Sequence, residues 1–312
     1  VTRITVAPGA GRSVLGLRSG ALAVRVLAQD EAGARVALVA NGALLLAGDA
    51  VTVQVEVADG AWLEVVETTG TVAYGGPEPS RWDVDVRLGA GSTLCWDALP
   101  FVVSHGARTH RRTDVHLGDG ARALLRETLV LGRAGQAGGD LWTRTAAYDA
   151  HGLLQVEELD LSRATRGLPG VLATTAAAAA CRVVDTVLAL GWSPAADPGP
   201  DDAATLLALD RPGAVLRWLG SELHRDTVGD RCVAAWGDEL AAGRAAPSSH
   251  AAPSSHAPPP APARVVPTPA PARDPVAPSP SRPPRGAAPP GPPPRAERAH
   301  PTFRTTVTEE YA

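Results

Sequence analysis

A strand, a short turn ending in glycine and a second strand recur four times in the first half of the chain. The segments VEVADGAWLEV, VRLGAGSTLCW, VHLGDGARALL and AYDAHGLLQVE superimpose at Gly60, Gly91, Gly120 and Gly152, spaced 31, 29 and 32 residues apart. Val51, Val53, Val55 and Val57 alternate with Thr52, Gln54 and Glu56, and Trp82, Val84, Val86 and Leu88 alternate with Asp83, Asp85 and Arg87. A period of two over seven residues marks strands with one buried face. The glycine supplies the positive φ that a tight turn needs. One such unit cannot bury its apolar face alone, so successive units must stack. The pattern therefore predicts a mainly β fold, an elongated body of stacked antiparallel hairpins over residues 1–165.

Beyond residue 165 the pattern reads as helix, packed on the body through 166–244. Val171 to Leu190 is Ala-rich, with apolar Val183, Val184, Val187 and Leu188 and a stop at Gly191. Asp210 before Arg211-Pro212 marks a second start, and Val228 to Leu240 a third, so two or three helices are expected. Proline then takes over: 20 of the 29 prolines lie between Ala245 and Pro301. Such a composition cannot bury enough apolar surface to offset chain entropy, so 245–312 is expected to be a disordered tail with polyproline-II stretches. A six-residue duplication places His250 and His256 in it as weak metal candidates.

Composition removes several chemistries. All 29 basic residues are arginine. Without lysine there is no Schiff-base enzyme and no phosphate loop of the Walker type. Cys95, Cys181 and Cys232 lack any CxxC companion and read as free thiols in a reducing compartment. No apolar leader and no run of eighteen apolar residues is present, so the expectation is a soluble cytoplasmic protein. Residues 1–244 carry 22 arginines against 29 acids, which argues against nucleic acid as the main partner.

Clusters that could carry chemistry are weak. His105, His110 and His116 are interleaved with Arg108, Arg111 and Arg112, whose charge opposes a bound cation, and a solvated hairpin loop is the better reading. The pairs Asp83 and Asp85, Glu157 and Glu158, and Asp201 and Asp202 read as solvated surface acids. No GxSxG, HExxH or GxGxxG stands in a fitting context. Binding or scaffolding is favoured over catalysis. The alternatives are a non-catalytic ligand- or protein-binding β module and, less favoured, a hydrolase using carboxylates such as Asp97 and Glu127.

The ordered succession of motifs adds a family. Leu44-Leu45-Leu46-Ala47-Gly48-Asp49, VTVQVEV, DGAWLEVVETTGTVAY ending at Tyr74, LCWDALP at 94–100, HGARTHRRTDVHL, and RETLVLGR at 126–133 followed by Gly139-Asp140 resemble the urease accessory protein UreD (UreH) family. The resemblance spans about residues 40 to 165, and more loosely reaches 240. It implies a mainly β, non-enzymatic scaffold. Such a scaffold binds urease apoprotein and UreF, reaches the GTPase UreG through UreF, and passes nickel transiently toward the urease active site. Its family-motif positions here are Gly48, Asp49, Tyr74, Trp96, Pro100, Glu127, Gly132 and Arg133. Asp49, Glu127 and Asp140 are the implied carboxylates for nickel transit. Ala47 stands where the family has a first glycine, Asp140 where it has glutamate, and the Pro-rich tail has no family counterpart.

Overall fold

The computed structural model describes residues 1–165 and 181–245, within a compact unit that ends at Ala251. The glycine repeat is a β-solenoid. Strands β1 (Thr2–Ala7), β5 (Ala50–Val57), β8 (Ser80–Leu88), β11 (Arg108–Leu117) and β13 (Asp140–Asp149) lie parallel in one sheet. Strands β4 (Gly33–Ala40), β6 (Trp62–Glu67), β9 (Thr93–Asp97) and β12 (Arg122–Leu131) lie parallel in the other. The chain thus crosses from first sheet to second at each glycine turn and returns by a loop. Short β7 (Thr71–Ala73) and β10 (Phe101–Val103) pair in parallel along that return.

The sequence spacing is the register. Ala50 pairs with Arg81, 31 residues on; Ser80 with Thr109, 29 on; Arg108 with Asp140, 32 on. The repeat therefore predicts which residues pair, while the expected antiparallel hairpins are corrected to parallel coils. The reason lies in the turns. Gly60 N donates to Ala90 O at 2.8 Å and Gly91 N to Asp119 O at 2.8 Å, so each turn stacks on the next coil's turn. Gly60, Gly91 and Gly120 have φ of 66°, 62° and 66°. Gly152, at 101°, turns the chain back within one sheet, and there alone among the four is the hairpin real: β14 (Gly152–Asp160) runs antiparallel to β13. Two more antiparallel partners close the early edges, β2 (Val14–Arg18) on β1 and β3 (Leu22–Gln29) on β4.

The core lies between the sheets in rows that cross the coils. Ile4, Val55, Val86, Val115 and Ala147 pair in one row, each with no exposed surface. Ala34, Leu63, Leu94 and Ala123 form its counterpart on the second sheet. Burial of such rows, at roughly 25 cal/mol per Å² of apolar surface, is the main force holding coil to coil.

Residues 183–220 extend the second sheet with strands, and only 227–245 form a helix laid on it. The segment Val183–Leu190 is β15, and Gly213–Gly220 is β17, with β16 (Ala204–Ala208) on its far edge. Every residue of β15 is buried. Val184, Leu188 and Leu190 face the inter-sheet core, and Val183, Val187 and Ala189 face the layer outside. A strand covered on both faces has a continuous apolar run, which periodicity cannot distinguish from a helix. Of the two or three expected helices, α1 (Thr227–Ala245) is the single α-helix among the described residues. Val228, Cys232, Trp236 and Leu240, four apart, lay one face on β12, β15 and β17. Residues 171–180 of the expected first helix, and the tail with His250 and His256, lie outside the described residues.

The turn chemistry gives a test. At Gly91 an added Cβ would meet nothing, so Gly91→Ala should cost only the left-handed backbone, about 1–2 kcal/mol. At Gly191, with φ +79°, the same Cβ would lie 2.1 Å from Ala121 O, so Gly191→Ala should cost clearly more in denaturant unfolding. Equal losses would contradict the stacked-turn geometry.

Candidate functional site

The apolar rows become polar in the last coils. In the first sheet Val53 and Val84 are followed in register by Thr113, Thr145 and Glu157, and Val51 and Trp82 by Arg111 and Thr143. The opposing sheet carries the row Glu127, Thr186, Arg217 and Thr205. Strand alternation points these positions into the space between the sheets. The result is a polar seam running from the middle of the solenoid to its last strands.

Arg111 is the seam's central cation. Its guanidinium pairs with Glu127 across the sheets and lies 5.4 Å from the Phe101 ring centroid. Burial lowers its pKa to about 10, against the opposing pull of Glu67. Glu67 is itself pushed up by burial, although Trp96 Nε1 and the Leu99 amide donate to it, each at 3.1 Å. Farther out, Arg217 bridges to Glu157 at 2.5 Å. Among the described residues, Arg111 Nε, Gln155 Oε1, Arg217 Nε and Thr143 Oγ1 are buried without a hydrogen-bond partner. Arg111 and Gln155, with Glu127 and Glu157, line a cavity of about 40 Å³, room for roughly two or three waters.

A second polar knot holds α1 to the outer face of the second sheet. Arg126 on β12 reaches Asp185 at 3.1 Å, Asp230 at 2.8 Å, Asp226 at 3.4 Å and Asp97 at 3.7 Å. Thr128 donates to Asp185, and Asp226 caps the helix by accepting from Gly229 N at 2.8 Å. Glycine is required there, because a Cβ at 229 would lie 2.3 Å from Asp185 Oδ2. Burial pulls the Arg126 pKa down, but Asp185, Asp230 and Asp97 more than reverse it, leaving it raised. Asp226 is pushed up to about 7, by burial first and then by the neighbouring Asp185.

The three carboxylates named for cation transit are placed separately. Glu127 stands in the seam. Asp49 Oδ2 accepts from Leu46 N at 2.7 Å in the turn before β5, and Asp140, opening β13, meets Arg163 at 3.2 Å. Both sit at the same end of the first sheet, three strands apart, about 14 Å at the usual spacing. Among the described residues no three His, Cys, Asp or Glu side chains gather as a metal site.

The other motif residues resolve individually. Gly48 and Gly132 hold φ of 83° and 94°. Tyr74 and Arg133 stack, with the guanidinium 5.0 Å from the ring centroid. Trp96 is buried against Glu67, and Pro100 O accepts from Thr71 N at 3.1 Å.

Three expectations change. Asp97 is level with Arg126 in the register, so it and Glu127 point to opposite faces of the sheet and cannot act as one hydrolytic pair. His110 and His116 lie on strand β11 and not in a loop, stacked on Trp142 at 4.9 Å and Tyr148 at 5.0 Å. Glu157 is not a solvated acid but the partner of Arg217. Glu67 and Arg217 are seam residues that the sequence does not single out, and Arg111, expected in a solvated loop, is buried on strand β11. The signal for Arg111 was present: nine residues before each turn glycine stand Val51, Trp82 and Arg111, so a charge occupies an inward position.

The molecule is thus a parallel solenoid with a charged inter-sheet seam and a helix pinned to its outer face. The family model of the UreD urease accessory protein matches residues 2–254, and the chain belongs to that family of non-catalytic urease accessory proteins, which take part in metallocentre assembly. It is similar to urease accessory protein UreD 1 of Streptomyces griseus, 47% identical over 60% of this chain and 71% of that protein. UreD 3 of the same organism is 36% identical over 63% and 75% of the two chains. The UreD of Streptomyces coelicolor is 33% identical over 70% and 87%. Among the described residues no helix is long and apolar enough to cross a membrane.

The raised Asp226 pKa fixes a sign. A carboxyl that binds its proton more tightly when folded stabilises the fold at low pH, and that contribution is lost as pH rises from about 4 to about 7. Asp226→Asn keeps the capping oxygen without the charge. Its denaturant midpoint should therefore fall less than that of the unaltered chain between pH 5 and pH 8. An identical slope in both would show that Asp226 is not the titrating group.

Proposed function

We propose that this chain is a urease maturation scaffold in the cytoplasm that binds urease apoprotein and UreF, engages UreG through UreF, and helps to pass nickel toward the urease active site. Membership of the UreD family is the observation that carries this reading. Nickel is here cargo and not a resident cofactor. The seam supports the second half: a polar inter-sheet layer with Glu67, Glu127 and Glu157 offers oxygen ligands that hold a divalent ion weakly and release it. Arg111 opposes an ion beside Glu127 as long as the pair is closed, so entry of a cation requires the guanidinium to swing from the carboxylate. Asp49 and Asp140 are proposed as rim carboxylates at the end of the first sheet, and Glu127 as the one along the internal route.

A strain lacking this gene should produce urease with little nickel, and normal nickel content would sink the maturation role. Complementation with Glu127→Gln should still give a complex with urease, while lowering urease nickel content severalfold. Full nickel content with that variant would remove the seam from the route and leave the scaffold role standing.

A further inference from the structure

Among the described residues, β2 and β3 edge the two sheets at one end, and β14 and β16 edge them at the other. Each edge exposes backbone pairing groups together with large apolar side chains. Val14 and Leu27 are 63% and 55% exposed, and Leu206 and Leu207 are 51% and 52% exposed. Edge strands of this kind are sites of pairing with another chain.

The two ends carry opposite charge. Residues 1–40 contain five arginines against two acids, and Arg12, Arg18 and Arg25 are exposed. Residues 149–165 and 193–212, which frame β14 and β16, contain eight acids against two arginines; Asp149, Glu157 and Glu158 are paired with Arg211, Arg217 and Arg144, while Asp202 and Asp210 are exposed.

Strand sense is complementary as well. In the first sheet β2 runs antiparallel to β1, and β14 antiparallel to β13, so the two edge strands run the same way. In the second sheet β3 runs antiparallel to β4, while three successive antiparallel steps lead from β12 through β15 and β17 to β16. Those edges also share one direction. The second sheet runs one strand farther than the first, so a copy translated along the coil axis that sets β16 beside β3 continues that sheet in matching strand sense and brings β14 toward β2. A two-fold copy would instead bring acid onto acid or arginine onto arginine, which like-charge repulsion opposes.

We propose that copies of this chain associate head to tail, with the acidic β14 and β16 end of one docking on the basic β2 and β3 end of the next. Such a contact is heterologous, so association builds open chains and not closed dimers. It goes beyond the maturation role and does not rest on it.

Sedimentation velocity on the full chain tests it. At low salt the distribution should shift to larger species with concentration, and high salt should return it toward monomer. Arg18→Glu with Arg25→Glu makes both ends acidic, and Asp202→Arg with Asp210→Arg makes both ends basic. Each double variant alone should stay monomeric, with unchanged circular dichroism, and mixing the two should restore association. A chain that is monomeric at every concentration in low salt, or variants that associate alone as well as mixed, would overturn the proposal.

Discussion

The stacking of one coil's turn on the next is the interaction on which the rest of the molecule depends. It fixes the register at the spacing of the turn glycines, and the register decides which side chains share a row between the sheets. Where the row is Ile4, Val55, Val86, Val115 and Ala147, the interior is dry and holds the coils together. Where it is Val53, Val84, Thr113, Thr145 and Glu157, the same geometry carries polarity into the interior. Core and seam are therefore one construction, distinguished only by which side chains occupy equivalent positions.

The seam is costly to keep. A buried ion pair such as Arg111 with Glu127 gains little net stability over apolar packing, because desolvation offsets its attraction. The outer knot around Arg126 is different in kind. It sets one guanidinium against several carboxylates at the start of α1, and it fastens the helix that covers β15 and β17. The apolar rows supply most of the stability, and the knot fixes where the helix sits.

Much of this was legible in the sequence. The glycine spacing carried the register to the residue, and alternation in 51–57 and 82–88 carried the inward positions. Parallel or antiparallel pairing was not legible, because a strand, a glycine turn and a strand look the same whether the chain returns to its own sheet or crosses to the opposite one. Val183–Leu190 was misread for a similar reason: two-sided burial erases the period that tells strand from helix. For the site, Glu127 could be named from its family motif, while its partner Arg111 lies on the preceding strand of the same coil, across the Gly120 turn. Only the fold brings them together.

We propose that the inter-sheet seam admits a divalent cation. Anomalous diffraction at the nickel edge, from crystals of this chain equilibrated with nickel, tests it most directly. A peak between the sheets beside Glu127, with Arg111 turned away from it, is the predicted result. Peaks confined to surface histidines, with the Arg111 and Glu127 pair intact, would contradict it.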